Sequence, residues 1–316
     1  MSKTSKKFRI TPYAQEVMCY LGQQKVYAQA EETLKELKGI SICAKQIENV
    51  CHHYGEVLEN ETQQIIASGG MPPKQNDGKK YYAMLDGGMV LTREEKWKEM
   101  KLARIFDREQ HIPVSSSRNY IGDSTYVAHL GKHTQFLKKV EHHLDDKGEI
   151  IFIADGAKWI WKWVEAMYPE STQILDFYHA KQHLCQWAEI AIKDAEQKND
   201  WIHAQCFWLF NNGIDKVIEN IKKVNVYSTQ VRKNRNILIE YYTTHRNRMQ
   251  YKTYKERGLL IGSGPIEAAH RHVIQQRMKL SGQRWTIKGA QQIVNLRVMR
   301  KNNQWEKVTE IINKAA

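Results

Sequence analysis

The run EIIFIADG, residues 149–156, is the feature that most constrains the fold. It is a continuous apolar stretch that ends in Asp-Gly, which is typical of a strand buried on both faces. A further short strand, TQILDFY, lies between two helical patterns, AKWIWKWVEAMYP before it and HAKQHLCQWAEIAI after it. Strands that alternate with helices add to a sheet in parallel, so the sequence predicts a mixed α/β fold.

Earlier strands are predicted from YYAMLDGGMVL and KWKEMKLARIF, the second of which interleaves apolar side chains with charges. We expect three early strands in an antiparallel meander. The helix HTQFLKKVEHHLDDKG then leads to the apolar strand at 149–156. The expected order is therefore strand, strand, strand, helix, strand, helix, strand, helix.

Helical patterns occupy the N-terminal part of the chain and a long late segment. Residues 12–68 predict two helices, with a stop at Gly39 and Ser41 as a candidate N-cap. This pair has the outline of a helix-turn-helix, although an ordinary helical hairpin has the same pattern. Residues 185–256 contain no convincing strand and predict an all-helical insertion. We expect four segments: an N-terminal helical domain and linker (1–78), the first part of the α/β core (79–184), the insertion (185–256), and the rest of the core with C-terminal helices (257–316).

Charge and composition narrow the function. The chain carries 48 Lys and Arg against 35 Asp and Glu, a net charge of +13, which favours a polyanion such as nucleic acid as partner. No apolar run is long enough for a membrane span, and the basic N-terminus lacks the apolar core of a secretory signal. Five cysteines without a C-x-x-C pair favour a reducing cytoplasm. No G-x-x-x-x-G-K-[ST] loop is present, so nucleotide hydrolysis is not expected.

Three carboxylates are candidates for chemistry. Asp86 is expected at the end of a strand before Gly-Gly, and Asp155 ends the central strand before Gly156. Glu267 follows GSGP, a helix start. Each also has a plain structural explanation, since Asp is common in turns and Glu is favourable in the first turn of a helix. Glycine after each aspartate leaves room for another group to approach the backbone.

Oxygen ligands without Cys or His suit Mg²⁺ or Mn²⁺. Two such ions can stabilise the attacking and leaving oxygens of a phosphoryl transfer. The carboxylates and the positive charge therefore indicate one chemistry, metal-dependent phosphoryl transfer on a nucleic acid.

Three blocks of the sequence, the latter two long and specific, resemble a known family. The blocks LDGGMV, IADGAKWIWKWVEAMYPESTQILDFYHAKQHL and GSGPIEAAHRHVIQQRMKLSGQRWT are similar to those of bacterial insertion-sequence transposases of the ISKra type, relatives of the eukaryotic Mutator elements. Together with AEETLKELKGISICAKQIENVCHHYGE, the resemblance covers most of the chain. It implies the RNase H-like catalytic fold of DDE transposases, with a helical insertion between the second Asp and the Glu. The N-terminal part is shorter than in many relatives, so incomplete end recognition or a truncated copy is one expectation.

The resemblance implies site residues as well. Asp86, Asp155 and Glu267 would be the metal-binding catalytic residues, holding two Mg²⁺ (or Mn²⁺) ions. Asp176-Phe-Tyr-His179 matches a Cys/Asp-x-x-His signature of Mutator-like transposases.

The stretch ILDFYHAKQHL has two interpretations. On one helix, Asp176, His179 and His183 would share a face and could form a zinc site. Alternatively, a strand ends at Asp176 and a helix begins near His179, so the three residues flank the site built around Asp155.

Basic residues after Glu267 are candidates for contact with DNA. Arg271, Arg277, Lys279 and Arg284 could follow the phosphate backbone, and Trp285 could stack on a displaced base. A solvated helix face with a core tryptophan would have the same sequence.

The resulting expectation is a DDE transposase that acts on double-stranded DNA, as a homo-oligomer, in the bacterial cytoplasm or nucleoid. The alternatives are a catalytically inactive or truncated transposase-derived DNA-binding protein, and an RNase H-fold nuclease without strand transfer.

Overall fold

The computed structural model describes residues 7–69, 77–115, 119–145 and 147–315. It is a mixed α/β structure, as predicted. The strands are β1 (Lys80–Thr92), β2 (Lys96–Asp107), β3 (His111–Pro113), β4 (Asn119–Ile121), β5 (Thr125–Leu130), β6 (Glu149–Ala154) and β7 (Thr172–Leu175). The helices are α1 (Pro12–Gly22), α2 (Tyr27–Lys38), α3 (Ala44–Ala67), α4 (His133–Leu144), α5 (Lys158–Met167), α6 (Phe177–Ala191), α7 (Ala195–Phe210), α8 (Ile214–Lys223), α9 (Thr229–His245), α10 (Tyr251–Glu256), α11 (Gly264–Ala269), α12 (Gln276–Met278), α13 (Ile287–Lys301) and α14 (Trp305–Lys314).

Five strands form one mixed sheet in the order β5-β2-β1-β6-β7. β2 and β5 are antiparallel, with Met100 opposite Leu130, and β6 and β7 are parallel, with Ala154 opposite Leu175. Only residues 93–95 connect β1 to β2, and so short a connection joins antiparallel strands. The predicted change from antiparallel early strands to parallel later strands is therefore confirmed. β3 and β4 form a separate two-stranded sheet that the sequence patterns did not predict.

The chain divides into two compact units. The first comprises residues 1–81, 85–149 and 265–316, and the second comprises residues 82–84 and 150–264. The N-terminal helices thus group with the early strands and the C-terminal helices. Most of the predicted linker, residues 70–76, lies outside the described residues.

The N-terminal region contains three helices where two were predicted. Gly39 ends α2 in the left-handed conformation (φ 63°), as expected, but the N-cap of α3 is Cys43 and not Ser41. The break comes at Gly22 and Gln23, whose main-chain carbonyls accept hydrogen bonds from the side chains of Arg277 and Arg297. These carbonyls would accept main-chain hydrogen bonds in a continuous helix, but here they accept from arginines more than 250 positions away. A local sequence pattern cannot reveal such distant partners.

The first unit is held together where α3 crosses α13. At the crossing, a Cβ atom on Gly55 would lie 2.2 Å from the main-chain oxygen of Gln292. Since the obstructing atoms belong to the backbone, only glycine permits this approach of the two helices.

The second unit places helices α5 to α10 with β6 and β7. Residues 185–256 are all described and contain helices and no strand, as the sequence patterns predicted. Tyr242 and Tyr251 of the insertion are fully buried, and the Tyr242 hydroxyl donates to the main-chain oxygen of Ala180 at 2.8 Å. These two tyrosines therefore belong to the core of the second unit.

No helix within the described ranges combines the length and the apolar character that a bilayer crossing requires.

Replacing Gly55 by alanine should disrupt the α3–α13 crossing. Forced overpacking of a rigid backbone contact costs about 1–3 kcal/mol. Gly55→Ala should therefore lower the free energy of unfolding by this amount, which is measured as a lower urea midpoint. The matched control is Gly264→Ala, because a Cβ atom there meets nothing within 4 Å. Equal midpoints for the two variants would contradict the proposed packing.

Candidate functional site

Asp86 lies within β1 and not at its end. The strand continues for six residues beyond it to Thr92, which corrects the predicted position. The side chain is half-buried, and its Oδ1 accepts a hydrogen bond from the Gly87 main-chain nitrogen at 2.7 Å. Asp86 is thus held at a fixed orientation in a regular strand.

The helix that carries Glu267 lies against β1 beside Asp86. The Nε2 atom of His270 is 3.4 Å from the Asp86 Oδ2 atom, and the His270 ring also hydrogen-bonds the Asp86 main chain. Glu267 precedes His270 by three residues, a spacing that places both side chains on one helix face. Glu267 itself is exposed. Two of the three predicted carboxylates are therefore carried by elements in direct contact.

Glycines near the aspartates make room for neighbouring side chains, as predicted. A Cβ atom would lie 2.1 Å from the Glu99 Oε1 atom at Gly87 and 2.9 Å from the His270 ring at Gly88. At Gly156 it would lie 2.1 Å from the Tyr241 ring. At Gly88 and Gly156 the neighbours are rings, so a side chain would require a shift of the ring, whereas the flexible Glu99 side chain could move away at Gly87.

His270 is neutral in the folded protein. Burial lowers its pKa to about 4, although the hydrogen bond to the Asp86 main chain acts in the opposite direction. The imidazole therefore lies beside Asp86 as an uncharged group at neutral pH.

Asp155 follows the last residue of β6 in the second unit. Its Oδ1 accepts from the Ala157 main-chain nitrogen at 2.9 Å, and its main-chain oxygen accepts from the Trp161 indole at 2.5 Å. Both the side chain and the main chain of Asp155 therefore accept hydrogen bonds that fix the turn after β6. Sequence reasoning placed Asp155 correctly after the strand but missed Trp161, whose contact follows from the first turns of α5.

Tyr241 and His183 lie near Asp155. The two rings are 4.9 Å apart in a T-shaped arrangement. Burial raises the pKa of Tyr241, and the charges of Asp155 and Asp176 raise it further, so the phenol stays protonated. Burial lowers the pKa of His183, as does His179, whereas the charge of Asp155 raises it. The charge of Asp155 thus acts on His183 of α6, which supports the prediction that the helix after β7 lies beside Asp155.

Asp176 is buried and structural. β7 ends at Leu175, Asp176 is the N-cap, and α6 begins at Phe177, earlier than the predicted start near His179. One carboxylate oxygen accepts from the main-chain nitrogens of Tyr178 and His179 at 2.6 and 2.9 Å. The other accepts from the Ser263 main-chain nitrogen at 2.7 Å and from the Ser263 hydroxyl. Both oxygens are therefore engaged, which disfavours the zinc interpretation of this stretch.

His179 donates its main-chain N–H to Asp176, and its ring Nδ1 is buried without a hydrogen-bond partner among the described residues. The Ser263 contact was not predicted, because 87 residues separate it from Asp176 and no spacing rule connects them.

The predicted DNA-contacting residues fall into two groups. Arg271, Lys279 and Arg284 are exposed. Arg277 is only 1% exposed, and its Nε donates to the Gly22 main-chain oxygen at 3.0 Å. Trp285 is 7% exposed, and its indole nitrogen donates to the Met278 main-chain oxygen at 3.1 Å. In the structure Arg277, predicted to contact the DNA backbone, and Trp285, predicted to stack on a displaced base, both have packing contacts inside the protein.

The three predicted metal ligands have suitable chemistry, because carboxylate oxygens are what Mg²⁺ and Mn²⁺ prefer. Asp86 and Glu267 belong to the first unit and Asp155 to the second. Within the described part of the chain, no three His, Cys, Asp or Glu side chains are grouped so that they could hold an ion. The residue types therefore fit the ions, but no ligand group is already assembled there.

Comparison with protein-family models and with curated proteins yields no match to this chain.

Removing the Asp176 carboxylate should destabilise the second unit. Asp176→Ala loses a helix N-cap and leaves the buried Ser263 donors unpaired, which together cost about 2–4 kcal/mol. Asp194→Ala is the control, because Asp194 caps α7 through one bond, to the Gln197 nitrogen. Its loss should cost about 1 kcal/mol. Urea unfolding measures both, and equal losses would contradict the anchoring role of Asp176.

Stability should fall as the pH falls from about 6.5 to about 4. Burial is the main cause that lowers the pKa to about 4 in four histidines: His129, His245, His270 and His272. Between the unfolded and folded pKa values the unfolded chain binds more protons, so this contribution is complete above the unfolded pKa and is lost on acidification. Urea midpoints measured across this window should fall, and His129→Gln should reduce the slope. A flat profile would contradict the burial of these side chains in neutral form.

Proposed function

We propose that this protein is a DDE transposase, which cleaves DNA at transposon ends and joins the resulting 3′-hydroxyl to target DNA. The proposal originates in the sequence resemblance. The observation that carries it furthest is the contact of His270 with Asp86, because it brings the helix of Glu267 to the strand of Asp86. Two residues 181 positions apart are thus carried by adjoining elements, as a shared site requires.

The sheet supports an RNase H-like core. The early strands are antiparallel, and β6 and β7, which are connected through α5, are parallel. This is the order of elements that the resemblance implies. The helical insertion falls between Asp155 and Glu267, where the family carries one. α2 and α3, joined by residues 39–43, are the candidate helix-turn-helix for DNA ends.

Asp86, Asp155 and Glu267 would hold the two Mg²⁺ (or Mn²⁺) ions. When bound, such ions polarise the scissile phosphate and offset the charge that develops on the attacking and leaving oxygens. The chain's own residues supply orientation. His270 lies beside the Asp86 carboxylate, while Ala157 and Trp161 hold the turn that presents Asp155. Asp176 fixes Ser263, the residue before α11.

Charge favours DNA as the substrate. The net charge of +13 supplies affinity for a phosphate backbone, and Arg271, Lys279 and Arg284 are exposed close to Glu267 in the sequence. Because two transposon ends must be processed together, we expect a homo-oligomer on DNA.

Neutralising the carboxylates should abolish cleavage and spare binding. Asp86→Asn, Asp155→Asn and Glu267→Gln should each lower Mg²⁺-dependent nicking of duplex terminal-repeat DNA by at least about a hundredfold, because electrostatic stabilisation is the main catalytic contribution. DNA affinity measured without metal should stay within a few-fold of wild type. Asp194→Asn is the matched control, since asparagine also caps helices.

Wild-type nicking rates in the three variants would refute the assignment. An added 3′-hydroxyl end separates the alternatives. Joined product identifies a transposase, cleavage without joining identifies a nuclease, and binding without either identifies a DNA-binding protein.

A further inference from the structure

A cavity of about 390 Å³ in the first unit lies between the N-terminal helices and the segment after α12. Its volume is in the range of sites that hold one small ligand. Aromatic rings and arginines dominate the lining, which includes Tyr27, His52, Arg93, Arg277, Arg284 and Trp285. None of the proposed catalytic carboxylates lines it.

The wall of this cavity contains a buried cation without a counter-charge. The Arg277 guanidinium lies 5.0 Å from the centre of the Tyr27 ring and 4.8 Å from that of Trp285. Its Nη2 atom is buried and has no hydrogen-bond partner among the described residues. A buried arginine is normally paired with an acid, because an unpaired buried charge is costly.

A second buried arginine increases the positive charge. Arg297 is 3% exposed and donates to the main-chain oxygens of Val273, Gln23 and His272, without an acid among them. Burial lowers the pKa of Arg297 to about 10, and repulsion by Arg277 contributes. Two cations thus share one interior region of the first unit.

The remaining lining groups agree with an anionic, aromatic ligand. Arg93 and Arg284 are exposed at the rim and add positive charge. His52 has a lowered pKa, chiefly because of burial, so it adds a neutral ring. Glu48 is the one carboxylate among the lining residues, and it pairs with Lys45 at 2.8 Å. A ligand that fits this arrangement has an aromatic ring to lie beside Tyr27 and an anion to reach the arginines.

We propose that this cavity binds one unpaired nucleotide of a DNA strand, with its phosphate at Arg284 and Arg93 and its base beside Tyr27 and Arg277. The proposal rests on the proposed function in taking DNA as the source of the nucleotide. It places Arg277 in the wall of a nucleotide site and not on the path of a duplex backbone, and it places Trp285 in the same wall.

Binding of single-stranded DNA without metal tests the proposal. Fluorescence anisotropy of the full-length protein with a labelled oligothymidine of about 10 nucleotides, in EDTA, measures the affinity. Tyr27→Leu should weaken binding about tenfold through lost contact with the base. Arg284→Gln should weaken it similarly and reduce the salt slope by about 0.7, the value for one phosphate contact in a single strand.

Controls separate the cavity from general charge effects. Lys138→Gln removes one exposed positive charge on α4, outside the cavity lining, and should leave the affinity unchanged. Thermal unfolding of each variant establishes that it is folded. Arg277 is left intact, because its bond to Gly22 also supports the fold.

Competitors identify the ligand. Thymidine monophosphate should displace the strand weakly and inorganic phosphate more weakly still, while a duplex of equal length should compete less well than the strand. The proposal would be overturned if inorganic phosphate displaced the strand as well as thymidine monophosphate does. It would also be overturned if the protein bound the free nucleotide as tightly as the strand. Wild-type affinity in both Tyr27→Leu and Arg284→Gln would also overturn it. Because the binding assay contains no metal, its result is independent of the Mg²⁺-dependent nicking assay. The nucleotide site can therefore be refuted while the proposed nicking activity is found, and the nicking activity can be refuted while the nucleotide site is found.

Discussion

The second unit depends on one buried carboxylate, that of Asp176. It accepts from the first turn of α6 and from Ser263, while its own main-chain nitrogen donates to the Ala154 oxygen at 2.9 Å. The end of β7, the end of β6 and the segment before α11 therefore meet at a single residue. A carboxylate with 1% exposure is tolerated because both oxygens are satisfied by donors. The position of Asp155, directly after Ala154, follows from this junction.

Interior charge is treated differently in the two units. Asp176 is surrounded by donors that match its charge. Arg277 and Arg297 in the first unit are met by carbonyls and aromatic rings, which satisfy geometry but leave positive charge uncompensated. Such a region favours any anion that can reach it. The Asp176 carboxylate therefore maintains the fold, and the uncompensated charge of the two arginines is the basis of the proposed nucleotide site.

Much of the fold could be predicted because period and length are local properties. The apolar run at 149–156 and the patterns at 80–92 and 96–107 became strands, and the segment at 185–256 became helices. The predictions that differed involve distant partners. The helix break at Gly22 depends on Arg277, and the role of Asp176 depends on Ser263. Basic residues on one helix could not be sorted into exposed and buried from sequence, because Arg271 and Arg277 differ only in what packs against them. Asp155 follows β6 as predicted, because an apolar strand that ends in Asp-Gly is a local signal, whereas the same signal misplaced Asp86, which lies inside β1.

The segment between Glu267 and Arg277 is not a regular α-helix, since residues His270–Gln275 form a π-helix between α11 and α12. A π-turn inserts one residue into the helical phase, which rotates everything beyond it by about 100° relative to an unbroken α-helix. Glu267 lies before this turn and is exposed, whereas Arg277 lies beyond it and is buried. The length of this segment is therefore under stricter constraint than its composition. Conservative substitutions can be accommodated, but a one-residue deletion would turn Arg277 by about 100° relative to Glu267 and so move it away from Gly22.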